Sequence, residues 1–324
     1  MLPHLPHPAR LGTVREHRAA ASSTVPWIGA HAHRRWGQEV GTVLVLDSAA
    51  VSTRGPRPDN QDSAVGGPLL IAIADGVGGN VGGAVASSLV VNWLAPLASG
   101  SLGDGADDPV RVVASANERI RAAYTERPRL RTMATTLSAF HVDAEGIALL
   151  HIGDSRAYLL AGDELTQIST DHTLVQALID AGSLTPAEAR VHPQRSAVYA
   201  ALHGADDDVA ALDVIRLDAR PGDRLMVCSD GLSDVVPPSV IRDLLVAGPP
   251  AQAAAALRDA ALAGPPTDNI TVVVADVRET TREDTPARIS TVGAAGELRE
   301  ETAEALEAVW PGPVPVGLVQ HRPR

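Results

Sequence analysis

Lysine is absent from this chain, and all 27 basic residues among its 324 are arginines. That excludes Schiff-base chemistry and the lysine of a phosphate-binding P-loop. The one cysteine, Cys228, leaves neither an internal disulfide nor a cysteine-rich zinc site within reach. Aromatic residues make up only 2% while alanine is abundant, a bias of composition rather than a mechanism. No apolar run approaches the ~20 residues of a membrane-spanning helix, and the opening MLPHLPHPARLGTVREHR lacks the apolar core of a signal peptide. A cytoplasmic protein with no membrane span is the expectation. Positive charge is also scarce, with a formal net charge of -12. Residues 1–40 carry +3 and residues 279–324 carry -3, so the middle of the chain holds the acidity. Duplex nucleic acid needs a basic footprint and is therefore not expected as a partner.

What is present is a globular chain, 45% hydrophobic and 20% charged, long enough to bury a sizeable core. Residues 1–40, rich in proline, histidine and arginine, read as a flexible N-terminal arm. Residues 41–278 alternate short apolar runs with amphipathic stretches and show no linker, which predicts one domain. The tail over 279–324 turns rich in threonine, glutamate and proline, with one short helix predicted over 297–310 by Leu298, Thr302, Leu306 and Val309 on one face. Strands are predicted over 42–46, 69–74, 147–152, 157–160, 224–228 and 270–275. Helices are predicted over 83–97, over 109–126, and over 173–181 ending at Gly182; Thr185 and Glu188 form a capping box around Pro186. The segments at 147–152 and 157–160 lie too close for a crossover helix, so antiparallel pairing and an α+β class follow.

Apolar strands in this sequence run straight into aspartates. LLIAIAD ends at Asp75, LLHIGD at Asp154 and LMVCSD at Asp230, while Asp268 stands just before ITVVVAD. A lone Asp-Gly after a strand is ordinarily a turn, which is the reading given to Asp171, to residues 206–208 and to Asp223. Four ionised carboxylates at buried strand ends need positive compensation. With lysine absent and only Arg57 and Arg156 close by in sequence, divalent cations are the economical source. Oxygen ligands without clustered histidine or cysteine suit Mg2+ or Mn2+ rather than zinc. The glycines of Asp75-Gly76-Val77-Gly78-Gly79 and Asp230-Gly231 let backbone carbonyls approach such an ion closely. Arg57, in RPDNQD, suits a bidentate grip on a phosphate. His141, His151 and His172 read as packed or solvated imidazoles, and Cys228, among carboxylates, as a protonated thiol unsuited to nucleophilic catalysis.

Seven motifs then stand in order: RGPRPDNQDS (54–63), IADGVGG (73–79), ATTLSA (134–139), HIGDSRAYLL (151–160), LTQISTDHTLVQALIDAGSLTPAEARVHPQRS (165–196), CSDGLSD (228–234) and TDNITVVVADV (267–277). Together they resemble the PP2C-type (PPM) metal-dependent protein serine/threonine phosphatases of bacteria, over about residues 43–278. The resemblance implies a four-layer α-β-β-α sandwich with two central antiparallel sheets and a binuclear Mn2+/Mg2+ centre at one end. It implies that Asp75 bridges two metals, that the Gly76 carbonyl holds one of them, and that Asp230 and Asp268 hold the other. Asp154 would help bind a third metal, Arg57 the substrate phosphate, and Asp62 would orient metal-bound water. Residues 171–196 would be a mobile flap, with Ser196 near the third metal. The implied reaction is attack of a metal-bridging water on phosphoserine or phosphothreonine in proteins, with no covalent phosphoenzyme. Ser/Thr kinases and their substrates are the implied partners, and the variant in which the substrates belong to an anti-anti-sigma switch stays open. Two other readings stay open: a catalytically weak regulatory module that binds kinases or phosphoproteins, and a hydrolase of small phosphate esters.

Two positions depart from the family pattern. Val77 stands where eukaryotic members carry a histidine thought to act as general acid, which leaves metal-bound water to protonate the leaving alkoxide. Gln61 stands where the family usually has glutamate, removing a negative charge from the metal environment. Weaker metal affinity is the expected consequence. Gln61→Glu is predicted to lower the apparent metal constant in a Mn2+ titration, and an unchanged constant would contradict it.

Overall fold

The computed structural model describes residues 42–78, 81–100, 108–281, 285, 288–297 and 300–309. The arm expected over 1–40 lies outside them. The strands are β1 (Thr42–Thr53), β2 (Ser63–Gly66), β3 (Leu70–Ala74), β4 (Gly76–Val77), β5 (Ala134–Thr135), β6 (Leu137–Asp143), β7 (Gly146–Ile152), β8 (Arg156–Ala161), β9 (Glu164–Gln167), β10 (Asp213–Leu217), β11 (Arg224–Cys228), β12 (Ile270–Thr281) and β13 (Ser290–Gly293). The α-helices are α1 (Gly82–Ser99), α2 (Pro109–Glu126), α3 (Leu174–Asp180), α4 (Pro186–Arg190), α5 (Asp230–Ser233), α6 (Pro238–Val246), α7 (Pro250–Ala263) and α8 (Glu300–Val309). Five strands form one antiparallel sheet in the order β1-β12-β11-β8-β9, and six form a second in the order β10-β7-β6-β3-β2-β13. β4 and β5 pair separately.

Side-chain alternation divides the apolar residues into three layers. On β3, Ile71 and Ile73 meet Leu225, Val227 and Val273 between the sheets, while Leu70 and Ala72 face α1 and α2. On β11 and β12, Met226, Cys228, Val272 and Val274 face Ile241 and Leu245 of α6 and Leu257 of α7. Strands buried on both faces read as unbroken apolar runs, which is why 224–228 and the start of β12 fall where the sequence predicts. The architecture is the expected α+β sandwich, helices on both outer faces of two antiparallel sheets.

Caps fix the helix ends. Asp108 accepts from the Val110 N–H at the start of α2, and Thr173 from the Gln176 N–H at the start of α3. Gly182, at φ 68°, ends α3 with its N–H on the Ile179 carbonyl. The Thr185/Glu188 capping box is formed as expected. By length and composition α1 is apolar enough to cross a bilayer, a possibility that counting uninterrupted apolar residues missed. Most of it is buried against the six-stranded sheet and α2, which accounts for its apolarity without a membrane.

The expected boundary at 278 is corrected. β12 runs on to Thr281, paired with Thr42–Asp47 of β1, and β13 adds an edge strand to β2. The outer half of β12 is polar because it is exposed, so composition alone reads it as tail. The helix expected over 297–310 is α8, whose Thr302, Ala305, Leu306 and Val309 are buried on the expected face; Leu298 and Trp310 lie outside the described residues.

Phe140 of β6, fully buried between the sheets, has the largest volume among such side chains in the described residues. Phe140→Ala is predicted to cost about 3–5 kcal/mol, read as a fall in the urea midpoint with an unchanged slope.

Candidate active site

The sandwich brings its strand-end acids to one end. Asp75 leaves β3, Asp154 sits in the β7–β8 turn, Asp230 follows β11, and Asp268 precedes β12. The main chain of Asp75 is clamped by the ATT motif: its N–H donates to Thr136 Oγ1 at 2.9 Å, and its carbonyl accepts from the Thr136 N–H and Thr135 Oγ1, both at 2.9 Å. Thr136 Oγ1 lies 2.8 Å from Ser155 Oγ, tying this strand end to the turn that carries Asp154. Gly76 is packed so tightly that a Cβ there would strike the Gly83 carbonyl and reach 2.5 Å from that of Gln61. Only glycine leaves its backbone open at this point.

Asn269 performs a task the sequence did not reveal. Its Nδ2 donates to the carbonyls of Arg54 and Asp59 at 2.8 and 2.9 Å, and its Oδ1 accepts from the Gln61 N–H at 2.8 Å. One side chain thus fixes the whole 54–61 loop, more than 200 residues away in sequence, against the start of β12. That loop presents Arg57, whose Nη2 meets Asp268 Oδ2 at 2.6 Å and whose Nε donates to the Thr267 carbonyl at 2.9 Å. The Arg57 side chain is half exposed, at 52%.

The acids perturb one another. Burial, followed by the charges of Asp62, Asp230, Asp154 and Asp268, holds the Asp75 carboxyl well above its ordinary value of 3.8. Burial, then Asp154 and Asp268, does the same to Asp230. Asp62 rises to about 6 chiefly by burial, against hydrogen bonds from Thr271 and Ser229. Asp154 rises to about 6 by burial and the nearby Asp171 charge. Asp234, one helical turn beyond Asp230, adds to the same field and was overlooked within CSDGLSD.

Arg156 relieves this crowding only in part, its charge opposing the rise of Asp154 and Asp234. It grips Asp171 with Nε 3.0 Å from both carboxylate oxygens and Nη2 2.7 Å from Oδ2. Asp171 is therefore a buried ion-pair partner and not the solvated turn expected. Asp208 is likewise buried, accepting the N–H groups of His203 and Ala205.

Asp62 Oδ2 and Asp230 Oδ1 are buried with no hydrogen-bond partner among the described residues. Unpaired carboxylate oxygens at a crowded anionic site are what a bound cation would satisfy, so the residues fit divalent metal. Among the described residues no three carboxylate, imidazole or thiol groups make a closed, protein-only ligand set.

Residues 171–196 carry α3 and α4. Their root is pinned where the His172 N–H donates to the Gly153 carbonyl at 2.7 Å, the Gly153 N–H donates to His172 Nδ1 at 3.2 Å, and His172 Nε2 lies 3.0 Å from Asp213 Oδ2. Ser196 is exposed beside the strand-like return at Ala197, whose carbonyl takes the Leu174 N–H at 2.9 Å. His141, His151 and His172 are all buried; burial lowers His151 to about 4, making it a neutral structural imidazole. Cys228 is buried and its thiol pushed up to about 12 by that burial, which suits no nucleophile.

A two-sheet sandwich with these acids at one end defines a class, and a family model for protein phosphatase 2C matches residues 56–260. The chain belongs to the protein phosphatase 2C family. It is similar to the serine/threonine protein phosphatase PstP of Mycobacterium tuberculosis, with 45% identity over 239 residues that cover 72% of this chain and 45% of that protein. It thus spans less than half the length of that relative. It is also 31% identical over 218 residues to protein phosphatase PhpP of Streptococcus pneumoniae, covering 66% of this chain and 87% of that one. Among solved structures, the Mycobacterium tuberculosis serine/threonine phosphatase PstP/Ppp superimposes with a TM-score of 0.68 at 44% identity, covering 72% of this chain and 99% of that one. A PstP catalytic domain in complex with two manganese ions gives 0.66 at 42% identity, covering 72% and 99%.

A carboxyl whose pKa is raised by folding loses stability as pH climbs from its unfolded value toward its folded one. In chelator, Asp230→Asn is therefore predicted to melt above the parent chain, with the gap widening as pH rises above the ordinary carboxylate value of 3.8. A variant that melts below the parent throughout would contradict the crowding.

Proposed function

We propose that this domain hydrolyses phosphoserine and phosphothreonine in proteins with Mn2+ or Mg2+. The observation that carries the reading is the convergence of Asp62, Asp75, Asp154, Asp230 and Asp268 at one end of the sandwich, two of them with orphaned buried oxygens. Asp75, the Gly76 carbonyl, Asp230 and Asp268 would hold two cations, and Asp154 would contribute to a third. When bound, such cations supply an acidified water and positive charge against the phosphoryl oxygens.

The remaining work falls to this chain's own groups. Asp62, buried and held through Ser229 and Thr271, orients water at the acid cluster. Arg57 pairs with Asp268; its guanidinium would grip a substrate phosphate through two N–H groups, and a cation held by Asp268 would take over the neutralisation of that carboxylate. Val77, 55% exposed beside Gly76, has no proton to give, so the leaving alkoxide takes one from water. The exposed Arg57 side chain suits a phosphorylated side chain presented by a protein, and Ser/Thr kinases and their substrates are the partners this reading names. The relatives named serine/threonine phosphatases support it.

A second reading, a catalytically weak module that binds phosphoproteins, is favoured by Gln61 in place of a charge and by the Arg57–Asp268 pair. Hydrolysis of a phosphothreonine peptide, titrated with Mn2+ and Mg2+, separates the two. Metal-dependent phosphate release lost in Asp230→Asn is the expected outcome; Mn2+ binding without turnover would support the module and overturn the phosphatase.

A further inference from the structure

The C-terminal segment that composition marks as tail reaches the active site. β13 lies beyond the residues matched by the family model and pairs with β2 so that Gly293 stands opposite Ser63. The next residue, Ala294, donates its N–H to the Asp62 carbonyl at 2.7 Å. Ala295 then donates to Ser63 Oγ at 3.1 Å. Ser63 Oγ lies 2.9 Å from Ser87 Oγ, and the Ser87 hydroxyl donates to the Gln61 carbonyl at 2.5 Å. The backbone from Gln61 to Ser63 is therefore held by β13 directly and through two buried serines.

Gly293 makes this approach possible. Its φ is 74°, and a Cβ at this position would strike the Asp62 carbonyl and come within 3.1 Å of Ser52 Oγ. A side chain here meets a strained backbone and displaces the carbonyl that Ala294 holds. The turn closes with the Gly296 and Glu297 N–H groups on the Gly293 carbonyl at 3.0 and 2.9 Å. Beyond it α8 is anchored on the far side of the six-stranded sheet: Leu306 is buried against α1 and α2, and Arg127 Nη2 donates to the Glu304 carbonyl at 2.9 Å. The principal contacts of α8 among the described residues are with α1 and α2.

We propose that Gly293 and Ala294 are positioning residues of the active site, the C-terminal strand acting as a brace that holds the Asp62 main chain and with it the carboxyl set toward Asp75. This rests on the metal-dependent phosphatase reading. Outer-shell groups that orient ligands at metal sites commonly change affinity by about 10–100-fold when removed. A brace acting on the Asp62 backbone belongs to that class, whereas the α8 anchor contributes to stability alone.

The test uses the full chain and three variants, Gly293→Ala, Ser63→Ala and Leu306→Ala. It combines Mn2+ binding by calorimetry, hydrogen exchange over residues 60–66, and hydrolysis of a phosphothreonine peptide at saturating Mn2+. Gly293→Ala is expected to weaken Mn2+ binding by about tenfold or more and to speed exchange over 60–66. Ser63→Ala, which folds without backbone strain, is expected to do the same to a smaller degree. Leu306→Ala is expected to lower the melting temperature with the Mn2+ constant unchanged. If Gly293→Ala and Ser63→Ala move only the melting temperature, or if Leu306→Ala weakens Mn2+ binding as much as they do, the brace is overturned while the parent chain's turnover still upholds the phosphatase. A parent chain that binds no Mn2+ and hydrolyses nothing overturns both.

Discussion

Carboxylates set at the ends of fully buried strands repel one another and lose hydration together, and the rest of this structure is arranged around that cost. Asp75 and Asp230 are held well above ordinary carboxylate values first by burial and then by their acidic neighbours. Arg57 offsets Asp268, but Arg156 is committed to Asp171. Two buried oxygens, on Asp62 and Asp230, are left without partners among the described residues. A divalent cation answers all of these at once, because one ion neutralises two carboxylates and accepts lone pairs that no hydrogen bond reaches. The catalytic proposal and the electrostatic cost are in this sense one statement.

Such crowding persists only on a stiff support. Three apolar layers, one between the sheets and one beneath each set of outer helices, fix the strand ends. Short polar clamps do the local work: Thr135 and Thr136 on the Asp75 main chain, Asn269 on the loop before β2, and His172 on Gly153. Each joins segments distant in sequence, so the positions of the acids depend on the completed fold.

That dependence explains what could be read in advance. β11 and the strand entering Asp75 were legible because burial on both faces leaves unbroken apolar runs, and the aspartates ending them were legible by position. β6 was not, because Ser138 and His141 occupy buried positions, Ser138 satisfied by His151 and the Ser155 carbonyl. α7 was missed because PAQAAAALRDAALA offers little contrast between faces. β13 is four residues long and carries no readable period, and its link to Asp62 runs through backbone groups that leave no trace in side-chain pattern. Asn269 was invisible for the same reason: its partners are carbonyls and an N–H of a loop far away in sequence.

Diffraction at the manganese edge, from crystals of the full chain grown with Mn2+, tests most directly whether cations complete this site. Anomalous peaks are expected beside Asp75, Asp230 and Asp268, with the Asp268 carboxylate turned from Arg57 to the ion. Crystals that show no peak at the acid end, with the Arg57–Asp268 pair intact and the Asp62 and Asp230 oxygens still unpartnered at saturating Mn2+, would contradict it.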